Sequence, residues 1–253
     1  MAAIARAAIT TGVIHIDGPA LVLSLIPHGE HGLVVRLLTP AHGLVAAYVR
    51  GGRGRRLGPV LQPGNLVAAQ LLARAEGQLP QASVELLAPR AALATSGAAV
   101  AVLDWACSLM AATLAEGDPH PRLYDALDAL GALVAAGGDR AQLGAAIVRH
   151  ELLLLAELGH GLDLASCAAT GATTDLGFVS PKSRQAVSRG AGLPYAAKLL
   201  PLPGFLIADA AADAQAIADG LALTGHFIAR DLLGARADRL WPTRQVMVQR
   251  LTV

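Results

Sequence analysis

Four arginines stand within seven residues in Arg50-Gly51-Gly52-Arg53-Gly54-Arg55-Arg56. Guanidinium forks match phosphate oxygens, and glycines let a backbone turn freely and approach a ligand closely. Phosphate contact along a nucleic-acid backbone is the chemistry such a run can do. The alternative is a solvated charged loop that binds nothing. Arg36 and Arg74 extend the basic surface if their strands face the same way, and each is otherwise an ordinary surface charge. Tyr48 is the single aromatic residue of positions 1–90, which leaves at most one platform for a stacked base. Binding of this kind is dominated by phosphate electrostatics, reads sequence weakly and falls steeply with salt.

Signatures of turnover chemistry are missing. The chain has no Gly-x-x-x-x-Gly-Lys-Ser/Thr phosphate loop and no Gly-x-Ser-x-Gly elbow. His150-Glu151 is not followed by the second histidine that a zinc-protease helix needs, and His28-Gly29-Glu30-His31 reads as a polar turn. No catalytic residue and no cofactor is therefore expected.

The elements that must position the arginines are short strands. Ala20–Ile26, Leu33–Leu38, Leu44–Val49, Leu66–Ala73 and Ala82–Leu87 are apolar or alternating runs, each bounded by Gly, Pro or Asn turn chemistry. Five strands in so short a stretch predict a small closed barrel of OB type, with the arginine run in one of its loops. After Pro89 the texture turns helical. Helices are expected over 91–115, from an Asp118 cap through 136, from an Asp139 cap through about 158, and over 209–221 and 225–233. Residues 162–193 look irregular. The expected fold is α+β, divided as a barrel domain at 1–88, helices at 89–162, a small irregular lobe at 163–200 and further helices at 201–253.

Composition agrees with a folded interior: 54% of the residues are hydrophobic and 15% charged, which excludes a disordered chain. Asp104 interrupts the longest apolar stretch before it reaches the roughly 20 residues of a membrane helix. Met1–Thr11 shows no leader pattern, and Cys107 and Cys167 follow no disulfide framework, so a reducing cytoplasm is expected. Residues 1–90 carry eight arginines against four acids, while the rest of the chain has a small acidic excess. The basic charge belongs to the barrel.

Over nearly its full length the sequence resembles the bacterial RecO family. The resemblance is carried by Ala20-Leu-Val-Leu-Ser24, His28-Gly29-Glu30, Leu33-Val-Val-Arg36-Leu-Leu-Thr39, His42-Gly43-Leu44, the loop at 50–56 and Leu61-Gln62-Pro63. It continues through Glu151-Leu152-Leu153, Leu158-Gly159-His160-Gly161-Leu162-Asp163-Leu164, Cys167-Ala-Ala-Thr170-Gly171, Phe178-Val-Ser180-Pro181 and Leu223-Thr224-Gly225-His226-Phe227.

The resemblance implies a nucleoid-associated mediator of recombinational repair, a binding and remodelling protein and not an enzyme. Such a protein binds single- and double-stranded DNA, anneals strands, and helps RecR load RecA onto strands coated by single-strand-binding protein (SSB). It also implies that the helical part docks the acidic, apolar C-terminal tail of SSB, in a groove rimmed by cations such as Arg149, Arg230 or Arg236. Relatives often carry a zinc-ribbon-like lobe with two Cys-x-x-Cys pairs. Here those positions hold Cys167, Thr170, Ser188 and Ala191, so no metal is expected and Leu176, Phe178, Val187, Leu193 and Tyr195 are left to pack the lobe. Lys182, Arg184 and Arg189 are exposed charges or part of a binding surface. The rival reading is a protein-interaction adaptor of the repair machinery whose DNA binding is incidental.

Overall fold

Turn residues cut the first third of the chain into five strands, and their pairing closes them on themselves. The computed structural model describes residues 14–73, 75, 77–208, 210–234 and 237–252; the leader reading at Met1–Thr11, Arg74, Asp209 and Arg236 lie outside the described residues. Strands β1 (Ile14–His28), β2 (Gly32–Thr39), β3 (Gly43–Val49), β4 (Leu66–Ala73) and β5 (Gln81–Ala88) form a closed barrel in the order β1-β2-β3-β5-β4. Strand β1 serves both halves: Leu21–His28 pairs with β2 and Ile14–Leu21 with β4, and a bulge between Val22 and Ser24 bends it. The seam between β3 and β5 is thin. One parallel pair, Tyr48 with Gln81, closes it, with the Tyr48 N–H donating to the Pro80 carbonyl at 2.7 Å. Ala20, Val22, Val35, Leu37, Ala47, Val67 and Leu71 fill the interior with no exposed surface. The chain is thus α+β, with an N-terminal five-stranded barrel of OB type followed by helices.

The helix expected over 91–115 is two helices, α1 (Arg90–Leu93) and α2 (Gly97–Thr113). Ser96 breaks it by capping α2, its Oγ accepting from the Ala99 N–H at 3.1 Å. Helix α3 (Pro121–Ala135) starts with proline in its first turn and has His120, not Asp118, at the N-cap. Trp105, Cys107, Leu109 and Met110 of α2 are wholly buried, so a helix apolar all round is here a core helix, packed on β1. Arg90, 6% exposed, pairs with Asp128 at 2.6 Å and ties α1 to α3. Barrel and α1–α3 form one compact unit that closes at Gly137.

A second compact unit starts at Gly138. Helix α4 (Arg140–Glu157) opens with a full capping box between Asp139 and Gln142, at 2.8 and 2.9 Å. The irregular segment carries a small sheet, β6 (Leu176–Val179) between β7 (Ala186–Ser188) and β8 (Leu200–Pro201), with the one-turn α5 (Arg189–Gly192). Leu176 and Val187 are buried and Phe178 half-buried, as the lobe's packing requires. Leu193 and Tyr195 are not part of that packing: they are 71% and 61% exposed on a 3-10 turn. Gly192 takes the place beside the Phe178 ring, so the residues after it are turned outward.

The two last expected helices are one, α6 (Ala214–Phe227), capped by Asp213 and running on into a π-helical stretch at Ile228–Leu233. Helix α7 (Ala237–Thr252) falls within the helical segment expected at 201–253, where the sequence marks no individual helix after 233. Ile147, Val148, Leu154, Leu155, Leu223, Phe227 and Met247 make the core of this unit. Among the described residues no helix is long and apolar enough to cross a membrane.

Candidate nucleic-acid interface

Residues 50–65 join β3 to β4, and hydrogen bonds fix the segment at both ends. Gly51 has φ of +67°, a left-handed conformation that turns the chain away from β3 at little cost only for glycine. Helical turns follow: the Gly54 N–H donates to the Gly51 carbonyl at 2.9 Å, and the Leu61 N–H to the Leu57 carbonyl at 2.8 Å. Arg53 ties the near end to the β1–β2 turn, its N–H donating to the His31 carbonyl at 3.3 Å and its Nη1 to the Glu30 carbonyl at 3.1 Å. Asn65, fully buried, ties the far end. Its Nδ2 donates to the Pro59 and Val60 carbonyls at 3.0 and 3.1 Å, and its Oδ1 accepts from the Ala91 N–H at 3.0 Å. Leu57, Val60 and buried Leu61 pack on the barrel core.

Held this way, the loop presents its charges outward. Arg50, Arg53, Arg55 and Arg56 are all exposed, and no acidic side chain among the described residues pairs with them. Arg50 and Arg56 border a groove of about 780 Å³. Its lining comes from the end of β3 (Tyr48), from the loop (Leu57 and Val60), from the length of β5, and from the β1–β4 ladder (Asp17, Ala68, Gln70). Tyr48 is half-buried, its ring edge-on to His28 with centroids 5.7 Å apart. The structure thus sets Arg50 and Arg56 beside one groove, with Arg53 and Arg55 exposed on the same loop. Arg36 does not join them: its guanidinium donates to the Ala111 carbonyl at the end of α2 and pairs with Glu116 at 3.4 Å.

The second unit holds a different polar centre. Arg244 of α7 donates from Nε to Glu151 Oε1 at 3.0 Å and from Nη2 to Glu151 Oε2 at 3.1 Å, to the Leu221 carbonyl at 2.7 Å and to Thr224 Oγ1 at 3.2 Å. The Thr224 hydroxyl donates to Glu151 in turn, and Gly225 lets the guanidinium lie against α6 where a Cβ would stand 2.4 Å from Nη1. Glu151, Thr224 and Gly225 were singled out by the motifs above with no chemistry attached. Their partner Arg244 was missed, although a buried glutamate calls for a cation. Over this centre lies a largely apolar groove of about 510 Å³, lined by Leu221, Ala222, His226, Ala229, Arg230 and Trp241. Arg230 at its border is held by Asp231 at 2.8 and 2.9 Å. Arg149 lies elsewhere, stacked on Phe205 and donating to its carbonyl at 3.0 Å.

Cys167, the first of the four lobe positions considered above for a metal, is buried. Its thiol donates to Ser188 Oγ at 3.4 Å and accepts from the Ser188 N–H at 3.2 Å. Hydrogen bonding with Ser188, then with Thr170 and the Ala169 backbone, favours the thiolate and lowers its pKa from 9.0 to about 6. One thiol with two hydroxyl neighbours does not fit a tetrahedral zinc site, and no group of three or more His, Cys, Asp or Glu able to hold a metal occurs among the described residues. Of the lobe's cations, Arg184 pairs with Asp231 at 3.2 Å and Arg189 with Asp175 at 3.5 Å, while Lys182 is exposed.

The described residues thus form an OB-type barrel unit with an exposed arginine loop beside a groove, followed by a helical unit with a groove of its own. Residues 15–90 match the family model for the N terminus of recombination protein O, and residues 94–239 the model for its C terminus. The DNA repair protein RecO of Rhodospirillum rubrum is 46% identical over 236 residues, covering 91% of this chain and 94% of the relative. That of Acidiphilium cryptum is 46% identical over 239 residues (92% and 94%), and that of Caulobacter vibrioides strain NA1000 is 43% identical over 238 residues (93% and 96%). The chain belongs to the RecO family of DNA repair and recombination proteins.

Proposed function

We propose that the protein is a cytoplasmic recombination mediator that grips the phosphates of single- and double-stranded DNA through the Arg50–Arg56 loop. It brings complementary strands together and, with RecR, helps RecA onto strands coated by SSB. The observation that carries this reading is the loop itself, fixed by Arg53 and Asn65, with four exposed guanidinium groups that have no acidic partner among the described residues. A loop whose backbone is already fixed needs no ordering on meeting phosphate, so only the rotamer freedom of the arginine side chains is lost. No chemistry is performed on the DNA; the action is positional. In the second unit, the groove over Trp241 with Arg230 at its border is the place proposed for the acidic, apolar SSB tail, a chemistry matched by an apolar floor beside a cation.

Fluorescence anisotropy of a labelled single strand across a salt series tests the DNA reading. The wild type should give a steep negative log–log slope, and Arg53→Ala/Arg55→Ala/Arg56→Ala should flatten it by roughly two units, at about 0.7 per lost contact. An unchanged slope moves the phosphate site elsewhere. Complementation of a repair defect separates the adaptor reading, because an adaptor keeps complementing after the three arginines are neutralised and a DNA mediator does not.

A further inference from the structure

The groove beside β5 has two chemically opposite sides. Towards β3 stand Arg50, Arg56 and Tyr48. On β1, β4 and β5 stand Asp17, Gln70, Ser83 and Glu85. The ladders set Asp17 opposite Gln70 and Gln70 opposite Ser83, so these three cross the sheet in one row, with Gln70 Nε2 donating to Asp17 Oδ2 at 3.3 Å. Glu85, two residues along β5 from Ser83, points to the same face and is exposed, with no cation paired to it among the described residues.

A wall bearing two carboxylates repels phosphate, so a strand in this groove does not place its backbone there. The backbone is drawn to the arginine loop, which turns the bases towards the carboxylates. We infer that Asp17 and Glu85 read the Watson–Crick edges of single-stranded bases by accepting hydrogen bonds from their amino groups, so that the site discriminates against thymine. The inference rests on the DNA-binding reading above. An ionised carboxylate only accepts hydrogen bonds. Cytosine offers its N4 amino group, adenine N6, and guanine an imino N–H beside an amino group, whereas thymine sets two carbonyl oxygens around a single imino N–H. In a duplex these edges are already paired, so the recognition acts on single strands only.

The test is anisotropy of the full chain with labelled deoxycytidine and deoxythymidine strands of about 20 nucleotides, at about 50 mM salt and about pH 8, where cytosine is unprotonated. The cytosine strand should bind roughly five- to tenfold tighter, the effect of about one good carboxylate–amino contact. Asp17→Asn/Glu85→Gln should bring the ratio to about one and tighten both complexes, since an amide donates as well as accepts and two negative charges leave the groove. Glu85→Gln alone, at an exposed position with no pairing to lose, should reduce the ratio in a normally folded chain. Arg53→Ala/Arg55→Ala/Arg56→Ala should weaken both strands alike and keep the ratio. Equal wild-type affinities overturn the base reading, and a ratio that survives the double carboxylate variant overturns its assignment to Asp17 and Glu85; in both cases DNA binding itself stands. Failure of the wild type to bind either strand removes both readings together.

Discussion

A carboxylate and a guanidinium taken out of water hold together only where every remaining donor and acceptor is satisfied, and Glu151 and Arg244 meet that condition through Thr224 and the Leu221 carbonyl. Removing one partner leaves an uncompensated buried charge. Arg244→Met should therefore lower the unfolding free energy in urea by about 3–5 kcal/mol, and Glu151→Leu/Arg244→Met should recover most of it. A single-variant loss below about 1 kcal/mol would mean that the pair is wetter than its burial indicates. The neighbouring His150 behaves oppositely. Its ring nitrogens have no hydrogen-bond partner among the described residues, and burial lowers its pKa from 6.5 to about 4, against a smaller upward pull from Glu151. Between those values the unfolded chain holds a proton that the folded chain refuses. Stability is thus complete above about pH 6.5 and is lost as the pH falls towards 4. Denaturation at pH 7.5 and pH 5 should show a loss about 2 kcal/mol smaller in His150→Leu than in the wild type. Parallel pH profiles would show that His150 titrates normally.

At the scale of elements, the arginine loop depends on one side chain that carries no charge. Asn65→Ala leaves two carbonyls and the Ala91 N–H without their partner in a buried site, at a cost of about 2–4 kcal/mol. The loop's far end is then free, and trypsin should cut after Arg53, Arg55 or Arg56 several-fold faster than in the wild type at a temperature where both are folded. Equal cutting rates would place the loop's rigidity in Leu57 and Leu61 instead. The loop's composition, its two turn-rich ends and its place between strands were all readable, because glycine, proline and alternation act locally. The anchor role of Asn65 was not, since its two acceptors and its donor come from residues 59, 60 and 91 and meet only in the folded chain. Helix α7 stayed hidden for a related reason: Pro242 lies inside it and much of its surface is polar, so only packing of Met247, Leu251 and Arg244 stabilises it. In the lobe, Cys167 is held by its hydrogen bonds with Ser188. Prolonged chelation should shift the melting temperature by less than about 1 °C, and a fall of several degrees would reveal a metal.

At the scale of the whole molecule, the change of texture at Pro89 and the compact units mark different cuts, and the two cuts predict different fragments. A chain ending at residue 88 loses the Ala91 N–H that Asn65 accepts, the Ala111 carbonyl that Arg36 binds and the Gly117 N–H that donates to the Leu44 carbonyl at 3.0 Å. It would also expose the face of β1 that α2 covers. A chain ending at Gly137 keeps all of these contacts. Trp105 and Trp241 are the only tryptophans, and they fall one in each unit, so the fluorescence of the 1–137 fragment comes from Trp105 alone. Its side chain is wholly buried. The 1–137 fragment should therefore emit at short wavelength, unfold in one cooperative transition, and bind single-stranded DNA with the salt slope of the full chain, because the four loop arginines and both walls of the groove lie within it. The 1–88 fragment should show neither a transition nor a slope. Cooperative unfolding of the 1–88 fragment would make the barrel a self-sufficient domain, with the helices α1–α3 as an addition to it. If even the 1–137 fragment gave no transition, the interior of the barrel unit, rich in alanine and thinly closed between β3 and β5, would need the second unit to hold it.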